Sequence, residues 1–207
     1  MVRVKICGVT RPEDARLIVR EGADAIGFQM SQGPRKITPE QAKRLVRLVP
    51  PFVTPVGVFV NEPLARVKAL IKYCGFQAVQ LHGEENEGFC EAVPVPVLKA
   101  IRMKGENSPR AYKGFHVAAF LLDHYNKDKR GGTGERFDWK WTRKAISQLP
   151  APVLLAGGLT PENVARAIQT ARPFGVDVAS GVEILPGRKD PQKVARFIRR
   201  AKKAAQA

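Results

Sequence analysis

The feature that most constrains the fold is an alternation of short apolar runs with amphipathic helical patterns along the chain. Most runs are continuously apolar rather than alternating, which is typical of parallel strands covered on both faces. Between them, apolar residues recur at three- and four-residue spacing, which indicates helices. The predicted strands are Val2–Ile6, Asp24–Phe28, Thr54–Val60, Ala78–Leu81, Val95–Ile101, Val117–Leu122, Pro152–Ala156 and Val176–Ala179.

Eight strand–helix units in 207 residues predict an α/β fold, a (β/α)8 TIM barrel that forms one domain over residues 1–207. An open, doubly wound sheet is the alternative with the same alternation. Two units are weakly patterned. The fifth has a short helix around Ser108–Lys113, and a glycine-rich loop, Lys127–Arg136, interrupts the sixth.

Helix starts share a capping side chain followed within two residues by proline, at Thr10, Thr38, Asn61 and Thr160. We expect these four residues to cap the helices that follow them. After Thr10 and Thr38, a Glu or Gln also stands three residues on. That spacing predicts a capping box at both positions.

The charge balance favours an anionic ligand. The chain has 35 Lys and Arg against 19 Asp and Glu, for a net charge of +16. These basic residues are spread over many predicted helices without a nucleic-acid motif, so we expect small anions rather than nucleic acid. No apolar stretch approaches the roughly 18 residues of a membrane span. Three scattered cysteines form neither a disulfide framework nor a metal pattern, and we expect a cytoplasmic protein with no membrane partner.

The segment Val49-Pro-Pro-Phe-Val53 is apolar and proline-rich. It serves either a homodimer interface or a turn at the bottom of the barrel. The sequence does not decide between them.

The first predicted strand ends at Cys7, where an α/β barrel keeps its chemistry. Lys5 lies two residues earlier and therefore shares the strand face of Cys7, so both should point into the barrel. A buried ammonium group would favour the thiolate, and we expect Lys5 to lower the pKa of Cys7. The alternative is that Cys7 is a small buried apolar residue.

Polar residues follow other strands at the same end. Arg35, after Gly33-Pro34, is placed to take a carboxylate in bidentate fashion. Asp123 follows three apolar residues, so burial should raise its pKa and suit it to general acid catalysis; the alternative is a helix cap, for which Asp138 is better placed. His82 is either a ligand contact or a turn residue.

The turns after the last two strands are glycine-bearing: Gly157-Gly158 and Ser180-Gly181. In barrels this position is a frequent phosphate site, because glycine lets the backbone N–H groups approach an anion. The pair of turns predicts a phosphate-binding site.

Seven segments, in order, resemble phosphoribosylanthranilate isomerase of tryptophan biosynthesis. The resemblance runs from residue 2 to about residue 200. The segments are Lys5-Ile-Cys-Gly-Val-Thr10, Pro34-Arg35, Val56-Gly-Val-Phe-Val-Asn61, Gln80-Leu-His-Gly83, Leu121-Leu-Asp123 with Gly131-Gly-Thr-Gly134 and Phe137-Asp-Trp139, Ala156-Gly-Gly-Leu159 and Val178-Ala-Ser-Gly-Val-Glu183.

The resemblance implies an Amadori rearrangement of phosphoribosylanthranilate without metal or organic cofactor. It implies Cys7 as general base, Asp123 as general acid and Arg35 as the ligand of the anthranilate carboxylate. The phosphate turns fall on Gly157–Gly158 and Ser180–Gly181, and His82 and Asp177 take positions that line the family's pocket.

Two other functions fit parts of the sequence. One is the related histidine-pathway isomerase, another phosphosugar barrel, which is expected to use two aspartates, so that Cys7 argues against it. The other is a basic binding protein that uses the barrel as a scaffold.

Overall fold

The computed structural model describes residues 1–102, 108–123 and 139–204. Eight parallel strands form a closed barrel in chain order, with β1 paired to both β2 and β8. The predicted (β/α)8 barrel is confirmed, and the open sheet is wrong. The strands are β1 Arg3–Cys7, β2 Ala25–Gln29, β3 Thr54–Phe59, β4 Ala78–Leu81, β5 Val97–Arg102, β6 Ala119–Asp123, β7 Val153–Ala156 and β8 Gly175–Val178.

Helices connect the strands on the outside of the barrel. After β8 the chain adds a short hairpin, β9 Glu183–Leu185 and β10 Arg188–Lys189, before its last helix. The weak fifth unit has a 3-10 helix, Ser108–Tyr112, in place of an α-helix. The α-helices are α1 Pro12–Arg20, α2 Pro39–Val46, α3 Leu64–Cys74, α4 Glu87–Glu91, α5 Trp139–Ile146, α6 Val164–Ala171 and α7 Pro191–Ala204. Among the described residues, none of these is long and apolar enough to cross a membrane.

Only one of the four predicted caps is found. Thr38 forms the complete capping box with Gln41 at the start of α2. The caps predicted at the other three positions are wrong, because α1, α3 and α6 begin after Arg11, Pro63 and Asn163.

The polar groups of the displaced cap residues serve loop contacts instead. The Thr10 hydroxyl donates to the carbonyl of Gly187, 2.6 Å away in the β9–β10 hairpin. The Asn61 carboxamide oxygen accepts from the Glu84 N–H in the loop after β4. Thr160 accepts from the N–H of Glu162, ahead of the helix. At Thr10 and Asn61, tertiary contacts therefore take precedence over local capping, whereas Thr160 keeps a local contact.

Successive side chains of β1 point alternately to the apolar core and to the barrel interior, where the candidate site lies. Val4 and Ile6 are fully buried in the main apolar cluster, which also contains Ile18 of α1 and Phe197 of α7. Lys5 lies between them in sequence, and its side chain points to the barrel interior, as predicted. Strand register then sets its neighbours: Lys5 pairs with Asp177 of β8, and Cys7 pairs with Gly27 of β2.

Candidate active site

A cavity of about 440 Å³ opens at the carboxyl ends of the strands, within the usual size range of small-molecule sites. The predicted site residues Cys7, Arg35, His82, Asp123, Gly157, Gly158, Asp177, Ser180 and Gly181 line it. A larger cavity of about 560 Å³ lies at the amino-terminal end, but no thiol, imidazole or carboxylate is among the described residues around it. The candidate catalytic groups therefore lie at the carboxyl ends of the barrel strands.

Cys7 is a free, partly exposed cysteine at the end of β1. Burial raises the pKa of the Cys7 thiol above its ordinary value, although the positive charges of Lys5 and Lys189 lower it. Desolvation and the negative charge of Asp177 outweigh the lysines, so the net shift is upward. Lys5 does act in the predicted direction.

Lys5 and Asp177 form a buried ion pair, with Nζ 2.8 Å from Oδ1. Desolvation opposes the charge of Lys5, but Asp177 and Cys7 together raise the pKa of Lys5 above its ordinary value. Its ammonium group also donates to Gln80 Oε1 at 2.8 Å. Two hydrogens of the ammonium group are thus directed to Asp177 and Gln80.

Asp123 ends β6 and His82 follows β4, with His82 Nε2 3.0 Å from Asp123 Oδ2. His82 Nδ1 is 2.8 Å from Gln80 Nε2. Both His82 and Asp123 keep part of their side chains exposed to the cavity, at 20% and 17%. His82 is therefore a partner of the predicted acid as well as a cavity-lining residue.

Arg35 lines the cavity and packs against Gly8. The carboxylate of Glu183 already binds its guanidinium group. The guanidinium donates to Glu183 from Nε, at 2.8 Å and 3.1 Å, and from Nη2, at 2.5 Å. Glu183 also accepts from Lys189 Nζ at 2.9 Å. Burial opposes the charge of Glu183, but these cations hold the pKa of its carboxyl below its ordinary value.

The fully buried Lys189 fixes the carbonyl groups around the site. Its Nζ donates to the carbonyl oxygens of Cys7, at 2.5 Å, and Ala179, at 3.3 Å. Burial lowers the pKa of Lys189 despite its contact with Glu183. One ammonium group therefore ties the end of β1 to the segment after β8.

The two glycine-bearing turns meet at the cavity. Gly157 and Gly158 adopt positive φ angles of 81° and 67°, which glycine tolerates best. Gly181 lies in the 3-10 helix Ser180–Val182, and the carbonyl oxygen of Leu159 packs where a Cβ would stand. Only glycine fits this close approach of the two turns.

Sequence reasoning missed Gly27, Gln80, Glu183 and Lys189 as site residues. Gln80 had a usable signal, since it lies two residues before His82 and therefore shares its strand face. Lys189 had none, because it reaches Cys7 across 182 positions of the chain. The loop 131–134 and the segment 137–139, which carried part of the resemblance, and Asp138 lie outside the residues whose side chains are described.

Comparison with known proteins gives one consistent result. Residues 4–200 match the family model of N-(5'phosphoribosyl)anthranilate (PRA) isomerase. The N-(5'-phosphoribosyl)anthranilate isomerase of Citrifermentans bemidjiense is 50% identical over 206 residues, 99% of each chain.

Two solved structures superpose along almost the whole chain. The phosphoribosyl anthranilate isomerase of Thermotoga maritima has a TM-score of 0.90 at 42% identity, covering 98% of this chain and all of the other. A phosphoribosyl anthranilate isomerase in complex with reduced 1-(o-carboxyphenylamino)-1-deoxyribulose 5-phosphate has a TM-score of 0.87 at 41% identity, with the same coverage. These matches confirm the resemblance seen in the sequence: the chain belongs to the phosphoribosylanthranilate isomerase family.

Proposed function

We propose that the chain catalyses the Amadori rearrangement of N-(5-phosphoribosyl)anthranilate to 1-(2-carboxyphenylamino)-1-deoxyribulose 5-phosphate, the third step of tryptophan biosynthesis from chorismate. One observation carries the assignment of roles. A thiol, Cys7, and a carboxyl group, Asp123, line the same cavity, whose edges hold Arg35 and two glycine turns. The arrangement offers a base, an acid and two anion sites, which are what this reaction requires.

The ligand named in the related complex carries a carboxylate and a phosphate. Here Arg35 would take the carboxylate, and the backbone of Gly157, Gly158, Ser180 and Gly181 would take the phosphate. The net charge of +16 would also attract this anionic substrate toward the cavity.

In the proposed mechanism, Asp123 gives its proton to the furanose ring oxygen as the C1′–O bond breaks, which opens the sugar to a protonated imine. The Cys7 thiolate then removes the C2′ proton, and the electron pair of that C–H bond moves to form an enolamine. The enolamine tautomerises to the ketone. Cys7 acts only as a base, so no covalent intermediate forms.

The contact with Glu183 leaves one side of Arg35 for the substrate. Glu183 occupies Nε and one hydrogen of Nη2. Among the contacts of the described residues, both hydrogens of Nη1 and the second hydrogen of Nη2 stay available. We therefore expect the anthranilate carboxylate to bind across Nη1 and Nη2, with the guanidinium oriented by Glu183.

Two substitutions test the roles. Cys7→Ala and Asp123→Asn should each lower turnover by roughly 10²- to 10⁴-fold, the usual contribution of a general acid or base, with little change in affinity for the reduced product analogue. A fluorescence assay that follows the loss of phosphoribosylanthranilate measures this. Cys90→Ala is the matched control, since Cys90 is a buried cysteine on α4 and should keep full turnover. Normal turnover in either site variant would overturn its assigned role.

We also propose that two copies associate through the amino-terminal end of the barrel. The segment Val49–Val53 is the turn before β3, and Phe52 at its tip is fully exposed in a left-handed backbone conformation. The cavity of about 560 Å³ at the same end is lined by apolar groups such as Ile168 and Phe174, which suit an aromatic ring from a second copy.

Sedimentation velocity tests the association. The unmodified chain should sediment as a dimer at micromolar concentration, and Phe52→Ser should give monomers. Tyr73→Ser, at another exposed aromatic residue, should leave the dimer intact. A monomeric unmodified chain would contradict the proposal.

A further inference from the structure

A run of hydrogen bonds crosses the barrel interior from Lys5, which lies near the predicted base Cys7, to the predicted acid Asp123. Lys5 donates to Gln80 Oε1 at 2.8 Å. Gln80 Nε2 is 2.8 Å from His82 Nδ1, and His82 Nε2 is 3.0 Å from Asp123 Oδ2. Lys5 and Gln80 are almost completely buried, at 1% and 2% exposure, so water does not compete for their contacts.

The chemistry of Lys5 gives this run a direction. An ammonium group has only donors, so the amide group beside it must present its oxygen. If the Gln80 amide were flipped, its NH2 group would face the Lys5 ammonium group. Two buried donors would then face each other without an acceptor, which is costly. The Gln80 NH2 group therefore faces His82 and donates to Nδ1. With Nδ1 as the acceptor, the ring proton of neutral His82 is on Nε2 and is donated to Asp123.

We infer that Gln80 is a positioning residue that holds His82 as the neutral Nε2–H tautomer, and that His82 in turn orients Asp123 for proton transfer. The inference rests on the proposed role of Asp123 as the general acid. Oδ2 accepts from His82, so the acid proton is carried by Oδ1, for which the described residues provide no partner. That oxygen is left to face the substrate.

The neutrality of the ring matters for this acid. A carboxyl group beside an imidazolium cation is held in its ionised form, whereas a neutral N–H donor favours ionisation much less. A charged His82 would therefore oppose the protonated state that the first step needs.

Among the residues that the structure describes, three further strands bring charged and titratable groups near His82, and Glu85 lies in the loop beside it. Arg102 of β5 donates to the carbonyl oxygen of His82 at 3.4 Å, and Lys99 of β5 to that of the next residue, Gly83, at 2.7 Å. The remaining groups are Lys5 and Cys7 of β1 and Asp177 of β8, which are linked to the ring through Gln80. All stay in place when Gln80 alone is changed.

The substitution Gln80→Glu reverses the arrangement. A carboxylate at this position accepts from both Lys5 and His82, so Nδ1 must carry a proton, and a ring between two carboxylates becomes an imidazolium. We expect kcat to fall by roughly tenfold to 100-fold, part of the usual contribution of a general acid. The loss of activity on the alkaline side should move to lower pH, while affinity for the product analogue stays nearly unchanged.

Long-range 15N–1H NMR reads the tautomer directly. The chain has only three histidines, and a His82→Asn variant assigns the signal. The unmodified protein should show Nε2–H with Nδ1 unprotonated, and Gln80→Glu should show both nitrogens protonated. The control Gln77→Glu adds the same charge at an exposed position just before β4 and should change neither the signal nor the pH profile.

Failure of this inference is distinct from failure of the proposed function. An Nδ1–H tautomer or an imidazolium in the unmodified protein at neutral pH would overturn the inference, even if no Gln80 variant folds. An unchanged pH profile in a folded Gln80→Glu enzyme would also overturn it and would leave the isomerase assignment intact. An unmodified protein with the Nε2–H tautomer and no isomerase activity would instead overturn the proposed function and, with it, the role given to Asp123.

Discussion

Replacing Gly27 by alanine tests whether the position of the Cys7 thiol limits turnover. Gly27 pairs with Cys7 across β1 and β2. A Cβ built on Gly27 would stand 2.7 Å from Cys7 Sγ and 3.2 Å from both Cys7 Cα and Lys5 Nζ. The absence of a side chain at this position therefore makes the space in which the thiol and the ammonium group lie.

The size of the displacement follows from these distances. Ordinary van der Waals contact begins at 3.4 Å, so Sγ must move by about 0.7 Å or rotate to another rotamer. A displacement of about 1 Å in a reacting group can cost about 100-fold in rate. We therefore expect kcat to fall by roughly tenfold to 100-fold in Gly27→Ala. Sγ and Nζ belong to side chains that can shift, but Cys7 Cα belongs to the backbone, so the loss of stability should fall within the roughly 1–3 kcal/mol typical of overpacking.

The assay combines kcat from phosphoribosylanthranilate fluorescence with the midpoint of thermal unfolding. Gly57→Ala is the matched control, since it also adds one methyl group to a barrel strand. Its Cβ would meet the Phe76 ring at 2.6 Å, remote from the thiol, and should lower the unfolding temperature without changing kcat. A folded Gly27→Ala enzyme with unchanged kcat would refute the reasoning.

Three further predictions concern the anion sites and the thiol. Arg35→Met should raise KM by roughly 10- to 100-fold, the value of a charge-assisted contact of about 1.5–3 kcal/mol, and a fall in kcat at unchanged KM would contradict a binding role. Lys5→Gln removes a charge that lowers the pKa of Cys7, so the pH profiles of Cys7 alkylation and of kcat/KM should rise at higher pH than in the unmodified protein; a shift to lower pH would be the wrong sign. Gly181→Ala should lower the unfolding temperature more than Gly158→Ala, because the added Cβ meets a carbonyl oxygen at the first position and open space at the second. Equal unfolding temperatures, measured by calorimetry, would show that the contact between the two turns carries no stability.

The fold was readable from sequence because each strand–helix unit repeats one local pattern. Continuous apolar runs predicted all eight barrel strands, with ends that differ from the structure by a few residues. Local capping was less predictable. Thr38 finds its partner within its own helix, whereas the Thr10 hydroxyl is taken by Gly187, which is distant in sequence. Of these two residues, only Thr38, whose side chain has no competing tertiary partner in the described part of the chain, caps a helix as predicted.

Site residues could be predicted from the sequence where they lie on the same face of one strand. The interior position of Lys5 and the location of Cys7 at a strand end follow from alternation and from barrel geometry. The net pKa shift of Cys7 did not follow from sequence, because desolvation and Asp177 raise the pKa while Lys5 and Lys189 lower it, and these groups lie on separate segments. The contact between Arg35 and Glu183 likewise joins residues 148 positions apart that no local spacing connects.

The contacts of Lys189 also make the surroundings of Cys7 depend on a late part of the chain. The Cys7 carbonyl is bound by a side chain near the end of the 207-residue chain. During synthesis, the environment of the first strand's thiol therefore stays incomplete until the β9–β10 hairpin has been made and has packed. Contacts this distant in sequence form late, since a long loop must close before they can. A nascent chain that holds the eight barrel strands but not this hairpin has the cysteine without the ammonium group that binds its carbonyl oxygen.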